Sequence, residues 1–235
     1  MKLQYLGDSR DAFKWDLLYH LCTASNPPFG HLLLIPLLTQ DDPLPTDGKS
    51  PHFRFSCQPG IRNFLSQLAS SRDLGLIQGL GAIGGSPRFQ VLMPPSSRYI
   101  QSGAERANYW KEWPEATWTD AIAFFDPDNG FETKTQKGTK WLRHREVAAI
   151  LPTLGPEGAA VIYQHRSQRQ AWDTVFAMLT PCLDYADWSA TVYEPNLAFV
   201  ILGAESALRR VVPVAESYAH NHPRVGFRWL RGGGV

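Results

Sequence analysis

Ala121-Ile-Ala-Phe-Phe-Asp-Pro-Asp-Asn-Gly130-Phe-Glu132 decides how this sequence reads, because an apolar, aromatic-rich run ends there abruptly in carboxylates, an amide and a glycine. A short run of that kind, stopped by turn formers such as Asp-Pro and Asn-Gly, is a buried strand that delivers polar groups to a sheet edge. Open α/β sheets bind their ligands at that edge. The stretch therefore predicts a core strand over 121–125 and a site at its end.

Outward from it, strand-like and helix-like patterns alternate. Phe13, Leu17, Leu18 and Leu21 give helical spacing over 11–22, ended by Asn26-Pro-Pro-Phe-Gly30. Further helices are predicted over 62–72, 102–113, 142–151, 168–179 and 206–220, and strands over 31–38, 89–93, 159–163, 189–193, 198–202 and 226–230. Such alternation implies a mostly parallel sheet covered on both faces. Strands 189–193 and 198–202 are joined only by Glu194-Pro-Asn-Leu197, too short for a crossover, so they form a late antiparallel hairpin. The 235 residues, 43% of them hydrophobic, suit one α/β domain spanning 1–235.

Composition excludes several classes. Asp8 and Arg10 interrupt the amino-terminal apolar residues, and no apolar run reaches membrane-spanning length, which predicts a cytoplasmic protein with no membrane partner. Cys22, Cys57 and Cys182 form no CxxC pair and read as reduced thiols. A net charge of +1 gives no global field for a polyanion, so nucleic-acid binding has to rest on a local patch. Gly79-Leu-Gly-Ala-Ile-Gly84 matches the dinucleotide fingerprint by letter, but strand-like residues follow it where a helix is required, so it reads as a flexible loop. Nucleophile-elbow, Walker and His-Glu-x-x-His motifs do not occur.

A parallel sheet finishing in an antiparallel hairpin resembles the S-adenosylmethionine-dependent methyltransferases, and the order of elements is similar to that of the large-subunit ribosomal-RNA adenine-N6 methyltransferases. Gly7-Asp8-Ser9-Arg10-Asp11-Ala12-Phe13-Lys14 has the spacing of that family's Gly-Asn-x-x-Asp-x-x-Lys, and Asp126-Pro127-Asp128-Asn129 stands where its Asp-Pro-Pro-Tyr would fall. The succession from Val161-Ile-Tyr-Gln-His165 through Ala198-Phe-Val-Ile-Leu202 to Phe227-Arg-Trp-Leu230 follows the same order. The resemblance implies a Rossmann-like methyltransferase-type sheet and S-adenosylmethionine as cofactor, beside Gly7, Asp8, Asp11 and Lys14. It further implies amino-group methylation of a nucleic acid, with Asp126 accepting a hydrogen bond from the target amino group. Two departures stand out. Leu38-Thr-Gln-Asp-Asp-Pro43 contains no glycine where the family turns tightly around the cofactor, and Asn129 replaces the aromatic on which a flipped base stacks. Phe131 can take over that stacking if the loop is displaced.

The residues themselves leave other readings open. Asp126, Asp128 and Glu132 are hard oxygen ligands able to hold Mg²⁺ or Mn²⁺ for a phosphodiesterase or nuclease. Asp-Pro and Asn-Gly are also favoured turns in their own right. Lys134, Lys137, Lys140, Arg143 and Arg145, interleaved with Trp141 and His144, suit the phosphates and bases of RNA or single-stranded DNA, on a scaffold that need not be catalytic. Gln164 and His165 end the strand expected beside the one carrying Asp126; Gln164 reads as a substrate contact and His165 as a general base near neutral pH.

Overall fold

The computed structural model describes residues 1–41, 55–94, 99–111, 118–133, 137–166 and 170–233. In chain order the elements are α1 (Ser9–Ala24), β1 (His31–Pro36), α2 (Pro59–Ser71), β2 (Gln90–Leu92), α3 (Gly103–Lys111), β3 (Ala121–Asp126), β4 (Gly130–Phe131) and β5 (Trp141–Leu142). There follow α4 (His144–Ile150), β6 (Ala159–His165), α5 (Trp172–Leu179), β7 (Trp188–Tyr193), β8 (Leu197–Gly203), α6 (Glu205–Asn221) and β9 (Gly226–Arg231).

Seven strands form one sheet in the order β2-β1-β3-β6-β8-β7-β9. β2, β1, β3 and β6 pair in parallel, while β8, β7 and β9 join through antiparallel pairings. The expected neighbours are neighbours: Ile122 pairs with Ala159 and Phe125 with Ile162. The hairpin is antiparallel, and its turn is held by Glu194, whose Oε1 accepts from the amides of Asn196 at 2.8 Å and Leu197 at 2.9 Å. β4 and β5 make a separate two-stranded ladder beside the main sheet.

Every residue of β3 and β8 is buried, as a strand covered on both faces requires. Alternate side chains serve two cores. Leu32, Leu34, Ile122, Phe124, Val161 and Phe199 pack with α1, α2 and α6, whereas Leu33, Ile35, Ala123, Phe125, Ile162 and Val200 pack with residues of α3, α4 and α5. α1 lies deepest. Its Phe13, Trp15, Leu17 and Leu18 are fully buried, and so are the polar Asp11, Lys14 and Asp16, which explains why its apolar pattern is interrupted yet the helix forms.

Two expectations are corrected. The glycine-rich stretch is not a flexible loop: Leu74–Ala82 winds into 3₁₀ turns with Leu74, Ile77 and Leu80 buried. A Cβ at Gly81 would lie 1.9 Å from the Phe89 carbonyl oxygen, so that glycine serves close backbone packing. The helix expected over 142–151 begins only at His144, because Trp141 and Leu142 pair with Gly130 and Phe131 first. Among the described residues no helix is long and apolar enough to cross a membrane, and the three cysteines are unpaired.

Gly81→Ala is expected to lower stability by about 1–3 kcal/mol, the range for forcing extra volume into a packed site. Gly79→Ala, where a Cβ meets open space, should cause no comparable loss. Urea denaturation of the two variants checks this, and equal midpoints would refute the packing role.

Candidate functional site

From β1 the chain moves outward to β2, then returns to place β3 on the other side of β1, so the sheet order reverses between β1 and β3. Crevices outside the carboxyl ends of strands at such a reversal are where α/β sheets hold ligands. Pro36 of β1 pairs with Asp126 of β3 at this point, and the Leu37 amide donates to the Asp126 carbonyl at 3.2 Å.

α1 delivers the charges. Asp8 caps the helix, its Oδ1 accepting from the amides of Arg10 (2.8 Å) and Asp11 (3.1 Å). Gly7, at φ +78°, makes the turn into it and donates to Asp11 Oδ2 at 2.8 Å; a Cβ there would lie 2.5 Å from the Ala69 nitrogen. One turn on, Lys14 Nζ lies 2.6 Å from Asp11 Oδ1 and 2.9 Å from Asp126 Oδ2, with all three side chains buried. Burial works against the lysine charge, but Asp11 and Asp126 outweigh it and hold Lys14 protonated well above the usual lysine range. Asp8 is shifted the other way: burial, and then the Asp11 charge, push it up to about 6.

The 126–132 loop is built by the next strand. Gln164 Oε1 accepts from the Phe131 amide at 2.9 Å, its Nε2 donates to the His165 carbonyl at 2.8 Å, and the His165 amide donates to the Asn129 carbonyl at 3.1 Å. Gly130 has φ +110°, and a Cβ there would lie 2.4 Å from Gln164 Oε1. The Asp-Pro-Asp-Asn-Gly and Tyr-Gln-His segments are thus two halves of one clamp. Both polar ends of the Gln164 side chain make hydrogen bonds within the protein, so Gln164 positions the loop, and it lines the adjoining groove as well.

Asp128 leaves that loop toward Thr39 Oγ1 (3.3 Å), Lys2 Nζ (3.6 Å) and Lys140 Nζ (3.9 Å). Two connected spaces result. A pit of about 50 Å³ is lined by Asp8, Asp11, Lys14, Asp126, Pro127 and Tyr163, among others. It opens beside a groove of about 980 Å³, and Lys2, Tyr5, Arg10, Asp128 and His165 border both. The groove carries Asn129, Glu132, Lys140, Trp141 and Arg166 on its polar side and Val175, Met178 and Pro181 on its apolar side. Phe131 and His144, both at its wall, stack with ring centroids 4.5 Å apart and planes 2° from parallel. Burial holds His144 below the usual histidine range.

His165 stands at the junction. Its Nε2 lies 2.8 Å from Tyr163 Oη and 3.3 Å from Arg10 Nη1. Burial, and then the Arg10 charge, lower its pKa to about 4, so the ring is neutral at pH 7 and a weak base.

The predicted substrate cations divide. Lys140 lines the groove, Lys137 and Arg143 do not, and Lys134 lies outside the described residues. Arg143 precedes α4, and its amide donates to Glu146 Oε2 at 2.9 Å. Sequence reasoning missed Lys2, Arg10, Thr39 and Tyr163, and also the buried latch behind the groove. There Arg106 Nε meets Glu146 Oε1 at 2.5 Å, and its Nη2 meets Glu146 Oε2 at 2.6 Å and the Trp141 carbonyl at 2.8 Å. The one sequence signal for it is Arg106 itself, set three residues before Tyr109 and therefore on the same face of α3.

Neither implied cofactor set fits as placed. Asp126 faces Lys14 and Asp128 faces Lys2, while Glu132 lines the groove; among the described residues no three His, Cys, Asp or Glu side chains gather to hold a metal ion. Of the segment from Gly7 to Lys14, Asp8, Asp11 and Lys14 border the pit alone and Arg10 borders pit and groove; the pit's volume matches one or two waters at about 30 Å³ each and falls short of the roughly 300–1,000 Å³ of small-molecule sites. Chain fills the rest: Met1 N donates to the Leu37 carbonyl at 2.9 Å and the Thr39 amide donates to the Met1 carbonyl at 2.9 Å. S-adenosylmethionine does not fit among Gly7, Asp8, Asp11 and Lys14 in this arrangement. Scanned against protein-family models and against curated proteins, the sequence matches none.

Lys14→Met leaves two buried carboxylates uncompensated and should cost about 3–5 kcal/mol, while adding Asp126→Asn should restore part of that loss. Urea denaturation of the single and double variants checks it; simple additivity would refute the coupling. For pH dependence the signs oppose. His165, lowered from 6.5 to about 4, contributes stability that is present above 6.5 and lost as pH falls through about 4. Asp8, raised from 3.8 to about 6, contributes stability that is full below 3.8 and lost as pH rises through about 6. His165→Asn should therefore be less sensitive to acidification from pH 7 to 4 than wild type, and Asp8→Asn more so, as thermal melts across that window will read.

Proposed function

We propose that the chain binds nucleic acid, as a single strand or a locally melted segment, with a base entering the groove beside Asp126-Pro127-Asp128-Asn129. One observation carries this reading: among the described residues, the groove of about 980 Å³ sets Lys2, Arg10, Lys140 and Arg166 against Asp128 and Glu132, around an aromatic stack and an apolar wall. Cationic heads suit phosphates, and flat or apolar surfaces suit bases, which is how sequence-tolerant single-strand sites are composed. A duplex has to surrender a base for it to enter such a recess.

Amino-group methylation is the second reading, and the strand order favours it. β6 lies beside the strand that carries Asp126, and the late antiparallel hairpin completes the sheet as in the methyltransferases that the sequence resembles. Asp126 is the acceptor that such a reaction uses, though here it is 2% exposed and paired with Lys14. Since S-adenosylmethionine does not fit the pit, no step is routed through it.

Replacing Lys140 and Arg166 together with Gln should weaken binding of a labelled single strand and reduce the slope of log affinity against log salt by about 1.4, at about 0.7 for each phosphate contact. Equal slopes for variant and wild type would sink the nucleic-acid reading. Incubation of the bound strand with methyl-labelled S-adenosylmethionine separates the two readings: label in the strand establishes methylation, and binding without label leaves strand recognition alone.

A further inference from the structure

The ring of His165 makes its hydrogen-bond contacts through Nε2, with Tyr163 Oη at 2.8 Å and Arg10 Nη1 at 3.3 Å. A guanidinium has donors only. If Nε2 carried a proton, two N–H groups would confront each other across the Arg10 contact. If Nε2 carries the lone pair, the Tyr163 hydroxyl donates to it at 2.8 Å and Arg10 shares that one lone pair in a longer contact at 3.3 Å. Tyr163 keeps its proton for that purpose, because burial raises it well above the usual tyrosine range. A neutral imidazole with a lone pair on Nε2 has its proton on Nδ1.

We propose that Tyr163 and Arg10 fix His165 as its Nδ1–H tautomer, and that His165 offers this N–H to an acceptor atom of a base bound where the pit opens into the groove. His165 is then a specificity-determining donor, and Tyr163 and Arg10 are its positioning residues. The inference rests on the groove being the ligand site. The charged and titratable groups acting on the ring are Arg10 and Lys14 from α1, Asp128 from the loop after β3, and the amino group of Met1. The cations disfavour an imidazolium, and Asp128 favours it. The ring thus holds one donor of fixed position through neutral pH, and binding needs no proton uptake.

A fixed donor discriminates because a base that presents another donor there leaves two N–H groups opposed in a half-buried place, whereas an acceptor completes the bond. The tautomer also says which replacement succeeds. Asn Nδ2 and His Nδ1 are both two bonds from Cβ, while the Gln amide lies one bond farther, near the place of Nε2.

The test has two arms. Long-range ¹H–¹⁵N correlation spectra of the ligand-free protein at pH 7 should show His165 Nδ1 protonated and Nε2 bare, and Tyr163→Phe should shift the ring toward a mixture of tautomers. A protonated Nε2 or an imidazolium at pH 7 would overturn the assignment. Titration of a short labelled single strand should then give near wild-type affinity for His165→Asn and about a tenfold loss for His165→Gln, equivalent to about 1.4 kcal/mol. Equal losses in the two variants would overturn the donor role. Failure of the wild type to bind any strand would instead refute the nucleic-acid reading, with the tautomer still decided by the spectra.

Discussion

The interaction on which this structure depends is the buried triad of Asp11, Lys14 and Asp126. It ties the deepest helix to the end of the central strand, and it does so with full charges in a place where charges are costly. A single buried lysine or a single buried carboxylate there would shift its pKa or draw in water. Two acids around one lysine leave a net negative charge, and Lys2 and Arg10 line the same pit. The register of α1 against β3 is then fixed by electrostatics as well as by packing, because sliding the helix by one residue would strand all three charges. Buried ionic groups are weak evidence for stability but fair evidence for a specified geometry.

That geometry propagates through two further devices. Gln164 replaces missing backbone pairing for the 129–131 loop, and Gly130 makes room for its side chain, so the loop after β3 takes its shape from β6. Arg106 and Glu146 do the same for the outer wall, fixing the β5–α4 junction that presents Trp141 and His144. The groove is consequently walled by a loop and a short ladder that are each held from behind, which is the arrangement that keeps binding residues in place without placing them in the core.

Much of the fold was legible because the central strands are apolar throughout and the hairpin linker is too short for any other connection. The position of Asp126 followed from the same logic, since a strand that ends in Asp-Pro has to end at a sheet edge. What sequence could not convey was which way polar groups turn once they arrive. Gln164 and Lys140 looked alike as ligand contacts, and both line the groove, yet Gln164 also commits its amide to the loop it supports. His165 looked like a base because free imidazole titrates near neutrality, and the burial beside Arg10 that lowers its pKa is not visible in the sequence. The stretch from Leu74 to Ala82 misled for a different reason: glycines permit both mobile loops and close backbone contact, and only the approach to Phe89 distinguishes them.

The charge distribution bears on what such a groove can select. With a formal net charge of +1 the chain has almost no long-range field, whereas four cations face two acids around the groove itself. Attraction for a polyanion is then felt mainly within a Debye length, about 8 Å at physiological ionic strength, so under the proposed reading a strand would be held at the groove and not gathered from a distance. Discrimination has to come from inside, where water is scarce and an unmatched hydrogen bond is expensive. A neutral histidine suits that interior better than a charged one, because an imidazolium would add another phosphate-seeking cation and present N–H groups on both sides of the ring. On the proposed reading, the groove's cations and a fixed single donor at the inner junction would divide the labour between affinity and specificity in the way that phosphate contacts and base contacts do elsewhere.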